Sequence, residues 1–252
     1  MFYEGSIKME YITNCAVLIQ CGTVVFLVDG IFSGRQPFDV MAPETERALL
    51  CREGRFKNLQ HILVTHCHND HYNGSKILRF LERRPGSSLV VPANARLDQN
   101  RLVASDARVI FMKGEVGELH RIFLDEVTIE YMKTEHLTYR YPEHYCINIA
   151  ASDANVLLTA DMELDRLGLL ERFTKRTHSA IFVNQICLWH KRWQLALNDL
   201  GYSHIYFYHL PSEERDEMGY RRRALIYWDK HRKKFPNAVL LGGEADRNGK
   251  TP

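Results

Sequence analysis

At its amino-terminal end the chain alternates short apolar runs with turn chemistry. Residues 7–11, 16–20 and 24–28 are rich in Val, Ile and Leu, and Thr13-Asn14 and Gly22 separate them. This pattern predicts a meander of three strands. Pro43-Glu44-Thr45-Glu46 suits a helix first turn, so a helix is expected to 51. Residues 62–64 read as a buried strand, followed by a helical pattern (Ile77, Leu78, Leu81) that runs out at Pro85-Gly86. Strands are expected at 89–91 and 107–112, with a polar helical piece at 95–103 between them. Hairpins are expected at 119–124 with 127–132, joined at Asp125-Glu126, and at 146–151 with 156–158. The remainder reads as helix 163–174, strand 180–183, helix 189–200 closed by Gly201, strand 205–208, helix 217–234, strand 239–241 and a loose tail at 246–252. Tyr220, Ala224, Tyr227, Trp228 and His231 form the apolar stripe of the last helix.

The length, 252 residues, suits a single domain spanning 1–252, and no repeat or low-complexity linker divides it. With 33 Lys+Arg against 31 Asp+Glu the net charge is +2, which speaks against a dedicated nucleic-acid or membrane-surface protein. The basic face of the last helix (Arg221, Arg222, Arg223, Lys230, Arg232, Lys233, Lys234) reads as a solvated face, with a phosphate-rich partner as the alternative. Residues 1–5 carry no secretory signal, and Gln20, Cys21 and Gly22 break the apolar segment 16–28 too early for a membrane span. The six cysteines (15, 21, 51, 67, 146 and 187) form no C-x-x-C pair and read as reduced thiols. The expectation is a soluble, cytoplasmic protein acting on a small molecule, with homo-oligomerisation left open.

The chemistry concentrates in Thr65-His66-Cys67-His68-Asn69-Asp70-His71, a His-x-His-x-Asp-His pattern on a strand-to-helix loop. Imidazole nitrogens and a carboxylate suit Zn²⁺, Mn²⁺ or Fe²⁺ in a site left open for chemistry. Residues two apart in an extended loop point the same way, so His66 and His68 can share one ion while Asp70 and His71 face a second. The intervening Cys67 is then expected to point away and pack. Six residues cannot fill two sites, so further ligands must come from elsewhere. His136, Asp161 and His209 each sit just past a β-rich run. Asp29, at the end of the third strand, is expected to support the site by hydrogen bonding.

With these residues in this order the sequence resembles the metallo-β-lactamase-fold hydrolase superfamily. The resemblance implies an α/β (α+β) fold, a four-layer αββα sandwich of two mixed β-sheets flanked by helices, with two divalent metal ions at one edge. Zn²⁺ is the first expectation, with Mn²⁺ and Fe²⁺ as alternatives. Carried over by position, His66, His68 and His136 would hold one ion, Asp70, His71 and His209 the other, and Asp161 would bridge them. Asp70 and Asp161 would be the catalytic pair. One departure stands out: the family usually has Gly before the bridging Asp, where this chain has Ala160.

Two divalent ions sharing a water lower its pKa toward ~7, so a bridging hydroxide is expected as the nucleophile. Among the branches of the family the sequence looks most like compact stand-alone hydrolases, including those similar to ascorbate-6-phosphate lactonase and small phosphodiesterases. The expected substrate is a small anionic ester, lactone or phosphodiester, with Tyr139, Arg140, His144 and Lys191 as candidates to orient it. A nuclease-like phosphodiesterase and a non-catalytic metal-binding or sensory domain are the rival readings.

Overall fold

In a computed structural model the described residues are 1–35, 37–137, 143–163 and 165–242. They form two seven-stranded sheets, each with its strands in sequence order. The first contains β1 (Phe2–Glu4), β2 (Ile7–Thr13), β3 (Ala16–Cys21), β4 (Val24–Val28), β5 (His61–Leu63), β6 (Ser88–Pro92) and β7 (Arg108–Met112). The second contains β8 (Leu119–Leu124), β9 (Val127–Thr134), β10 (His144–Ala150), β11 (Ala154–Leu158), β12 (His178–Asn184), β13 (His204–Tyr208) and β14 (Ala238–Leu240). Both sheets follow one plan. An antiparallel meander (β1 to β4; β8 to β11) leads into parallel strands (β4 to β7; β11 to β14).

Period-two alternation explains why the sheets stack and why helices cover both outer faces. In β3, Val17 and Ile19 enter the core between the sheets, while Ala16 and Leu18 face outward. In β13, Tyr206 and Tyr208 point inward, while Ile205 and Phe207 point outward. Helices α1 (Pro43–Cys51), α2 (Gly74–Glu82) and α3 (Gln99–Ala104) contribute Leu49, Ile77, Phe80 and Leu102 to the outer face of the first sheet. Helices α4 (Lys191–Asp199) and α5 (Tyr220–His231) contribute Trp193, Leu197 and Ala224 to that of the second. The expected αββα sandwich of two mixed sheets is therefore the observed one. Among the described residues no helix is long and apolar enough to cross a membrane.

Several elements differ from the sequence expectation. Among the described residues of 163–174 there is only a 3-10 turn, Leu167–Arg172. Glu163 Oε2 accepts the Asp165 backbone N–H, and Gly168 weakens the propensity, so no α-helix propagates there. The helix expected at 95–103 is α3, which starts late because the Asp98 side chain caps it by accepting from Arg101 N–H. The 189–200 helix begins as a 3-10 turn, Gln185–Trp189, with α4 following. The last helix starts at Tyr220 because Gly219, at φ 69°, interrupts the path into it. The tail at 246–252 and the candidates Tyr139 and Arg140 lie outside the described residues.

Just past β11, Ala160 adopts φ 45°, the left-handed region that glycine favours, and is almost fully buried. A glycine would relieve this strain of about 1–2 kcal/mol but would give up a buried methyl group worth roughly 0.8 kcal/mol and add chain entropy to the unfolded state. Ala160→Gly should therefore stay within about 1 kcal/mol of the parent chain, whereas Ala160→Val, β-branched at positive φ, should lose about 2 kcal/mol or more. Denaturant unfolding of both variants checks this pair, and equal stabilities would contradict it.

Candidate metal centre

The loop after β5 is set by hydrogen bonds before any ion is considered. Asp29, just past β4, is fully buried; its carboxylate accepts from the Thr65 N–H at 2.8 Å and from the Thr65 hydroxyl at 2.6 Å. It also lies 2.9 Å from His71 Nδ1. That bond keeps the His71 proton on Nδ1 and turns the Nε2 lone pair inward. The expected supporting role of Asp29 thus has a concrete form. Asn14 adds a second tie, its amide donating to the Asp70 carbonyl at 2.9 Å.

Donor atoms from four segments then converge. His66 Nε2 is 3.0 Å from His68 Nδ1, and His71 Nε2 is 2.9 Å from His209 Nε2. Asp161 Oδ2 lies 3.7, 3.6 and 3.5 Å from the Nε2 atoms of His66, His71 and His136, and Asp161 Oδ1 lies 3.5 Å from His209 Nε2. Asp70 Oδ2 is 3.5 Å from His209 Nε2 and 3.9 Å from His71 Nε2. Ligands bound at zinc–nitrogen distances around a tetrahedral ion sit roughly 3.4 Å apart. All seven residues named from the sequence are buried and meet at one place, at the carboxyl ends of β5, β9, β11 and β13.

The donor set fits divalent cations. Among the described residues Asp70 Oδ1 is buried with no hydrogen-bond partner, a costly state for a carboxylate unless a cation or a bound water faces it. Burial holds His66 well below the ordinary imidazole range, pushes His68 down to about 4 and lowers His209. Burial works to raise the Asp161 carboxyl, but the charge of His209 and hydrogen bonds from His136 and His71 hold it well below its usual range. His71 moves the other way: burial opposes its protonation, yet Cys15, Asp29 and Asp161 raise it. His66, His68 and His209 thus favour the neutral form that metal binding requires, whereas His71 would release a proton when an ion binds. His66, His68, His136 and Asp161 offer ligand atoms within 4.8 Å of one another, and so do Cys15, His71 and His209.

Sequence reasoning missed several neighbours. Cys15 sits beside His71 and His209 in that second group, and its thiol donates to the Asp70 carbonyl at 3.2 Å. Asn184 donates to Asp161 Oδ1 at 2.7 Å. The Phe38 ring packs edge-on against His209, with centroids 4.0 Å apart. Cys15 and Asn184 each follow or end a strand, which was the only signal they carried. Cys67 turns away as expected, packing half-buried against the core beneath the helices of the first sheet.

His144 is not a loop residue at the pocket edge. It is the first residue of β10, fully buried, with Nδ1 2.7 Å from the Thr134 hydroxyl and its ring 5.2 Å from that of His66. Lys191, exposed at the start of α4, is absent from the cavity wall. The basic face of α5 is partly committed to the fold: buried Arg221 donates to the Pro211 carbonyl, and Arg223 lies over the Trp189 ring.

A cavity of about 250 Å³ opens onto the cluster, lined by His68, Asp70, His136 and Asp161. Arg35, Phe38, Gln185, Ile186 and Tyr220 form part of its outer wall. A larger cleft of about 620 Å³ against α5 shares no lining residue with the cluster.

No family model matches the sequence. Solved structures match its backbone over nearly the whole length. A metallo hydrolase from the hyperthermophilic archaeon Ignicoccus hospitalis KIN4/I superposes with TM-score 0.63 at 16% identity, covering 94% of this chain and 95% of that one. The metallo-β-lactamase fold protein YhfI from Bacillus subtilis gives TM-score 0.56 at 15% identity, over 89% and 87%. CmlA, a diiron β-hydroxylase from Streptomyces venezuelae, gives 0.60 at 16% identity over 95% of this chain, which spans only 53% of that protein.

Protonation of the cluster has a consequence for stability. The unfolded chain binds protons on His66, His68, His144 and His209 below the ordinary imidazole value of 6.5, and the folded cluster resists them. The stability these four contribute to the metal-free protein should therefore be present above that pH and be lost as the pH drops below it. His71, shifted upward, contributes stability that is present below that pH and fades as the pH rises toward its raised value. Denaturant midpoints measured between pH 8 and pH 5 test this, and a flat profile would contradict it. Superposition over nearly the whole chain on those solved structures, a metallo-β-lactamase fold protein among them, identifies this chain's architecture as the metallo-β-lactamase fold.

Proposed function

We propose that this protein is a dinuclear, metal-dependent hydrolase acting on a small anionic ester, lactone or phosphodiester. The observation that carries this reading is the convergence of seven buried donor residues from four separated segments, of which His68, Asp70, His136 and Asp161 line one open cavity. His66, His68 and His136 would hold one ion, Asp70, His71 and His209 the other, and Asp161 would bridge them. Zn²⁺, Mn²⁺ and Fe²⁺ all suit this mix of imidazole and carboxylate; the diiron CmlA keeps iron in view. Bound there, the cations would supply an acidified water as nucleophile and polarise the oxygen of the electrophile.

The chain's own residues would do the rest. Asp70 Oδ1, buried and unpartnered, would accept a hydrogen bond from the attacking water and orient it. Asp29 keeps the His71 proton away from the centre. Arg35, exposed at the cavity wall, would attract the substrate's anionic group, and Phe38 and Ile186 would shield the reacting bond from bulk water. The cavity volume suits a small substrate better than a polymer.

Purified protein should contain two divalent ions per chain and hydrolyse some member of a phosphodiester, lactone and thioester panel. Binding of two ions with complete inactivity across the panel would favour a non-catalytic sensor. Asp161→Ala should lower occupancy of at least one ion and reduce turnover by several kcal/mol of barrier, more than about a hundredfold, with the fold retained. Unchanged turnover would remove the bridging role. Arg35→Ala should raise KM for an anionic substrate with little change in kcat, because it acts on binding rather than on the reacting atoms. A nuclease-like activity, by contrast, should collapse as salt rises.

A further inference from the structure

We infer that Asn184 is a positioning residue for the Asp161 carboxylate and that it governs binding of the ion on the His209 side of the centre. This inference rests on the dinuclear reading above. Asn184 ends β12 and is almost fully buried at the inner wall of the cavity. Its amide nitrogen donates to Asp161 Oδ1 at 2.7 Å, and its carbonyl accepts the Ile186 backbone N–H at 3.0 Å, capping the 3-10 turn Gln185–Trp189. The second bond fixes the first. An amide whose oxygen is committed to Ile186 must present N–H to Asp161, and flipping it would set two oxygens against each other and undo the cap.

The terminal torsion of an aspartate is soft, so an unanchored carboxylate swings readily. The two oxygens of Asp161 face different partners: Oδ2 lies near His66 and His136 on one side and His71 on the other, while Oδ1 faces His209 and Asn184. Asn184 therefore holds the Oδ1 arm toward the His209 side. On the other side three imidazoles and Oδ2 remain whether or not the arm is held.

The same device occurs in the first half of the chain. Asp29 follows β4 and is anchored by Thr65, just past the neighbouring parallel strand β5. Asp161 follows β11 and is anchored by Asn184, at the end of the neighbouring parallel strand β12. A left-handed residue follows each strand, Asp29 itself at φ 48° and, next to Asp161, Ala160 at φ 45°. The two halves differ in what the carboxylate then does. Asp29 is filled by three donors, whereas Asp161 keeps Oδ2 turned to the imidazoles.

Stepwise Co²⁺ titration of the full chain, followed by visible spectra and chelator competition, tests this. Asn184→Leu removes both bonds. Asn184→Ser keeps a good capping hydroxyl but is too short to reach Asp161. Both variants should weaken the second Co²⁺ by about 10–100-fold and alter its absorption, with the first ion changed much less. The serine variant should also keep the metal-free unfolding midpoint. Wild-type constants and spectra in Asn184→Ser would reduce Asn184 to a turn cap and overturn the inference. Equal weakening of both ions would overturn it too. Wild-type protein that binds only one Co²⁺ would instead remove the dinuclear reading, and this inference with it.

Discussion

The structure depends on bringing lone pairs and negative charge together at a place the fold has largely closed to water. Three buried carboxylates, Asp29, Asp70 and Asp161, stand among the imidazoles of His66, His68, His71, His136 and His209. Such a gathering is unfavourable in isolation, because each ionised group loses hydration that its neighbours restore only in part. Divalent cations bound there, as proposed, would resolve the conflict, since the donor atoms already stand within ligand-like distances of one another. The fold behaves as a rigid frame that holds ligands apart from one another at the distances an ion would choose.

The frame achieves this with strand ends. Both sheets turn from antiparallel meander to parallel strands, so strand after strand delivers its carboxyl end to the same edge. Left-handed residues at Asn14, Asp29, Ala160 and His209 turn the chain sharply where it leaves a strand. Local strain of this kind persists only where surrounding packing overdetermines it, and here the core between the sheets lies directly beneath. Hydrogen bonds from Thr65, Asn14 and Asn184 then aim the side chains. Anchoring ligands from rigid elements rather than long loops keeps them within the tolerance that catalysis demands.

Much of this was legible in the chain itself. The His66–His71 pattern and the positions of His136, Asp161 and His209 mark strand ends by residue type and hydrophobic rhythm, and the structure gathers all of them. The αββα layering came with the family resemblance those residues carry, and strands such as β3 and β13, buried on both faces, bear it out. The Asp29 contact was readable because an acid closing a buried strand needs a donor nearby. Less legible were the helix at 163–174, which Glu163 and Gly168 prevent, and the role of His144, whose placement in β10 rather than in a loop depends on pairing with Thr134.

Sequence alone determined which residues are ligand-type, where strands and most helices run, and that ligands stand at strand ends, because side-chain chemistry and periodicity are local properties. Tertiary structure decided which ends meet and what surrounds them. Cys15, Asn184, Arg35 and Phe38 carry no local mark of function; each reaches the centre only because the sheets stack face to face and bring distant segments to one edge. The orientation of Asp161 is likewise set by an amide from the adjacent strand, a relation that exists only once β11 and β12 are paired.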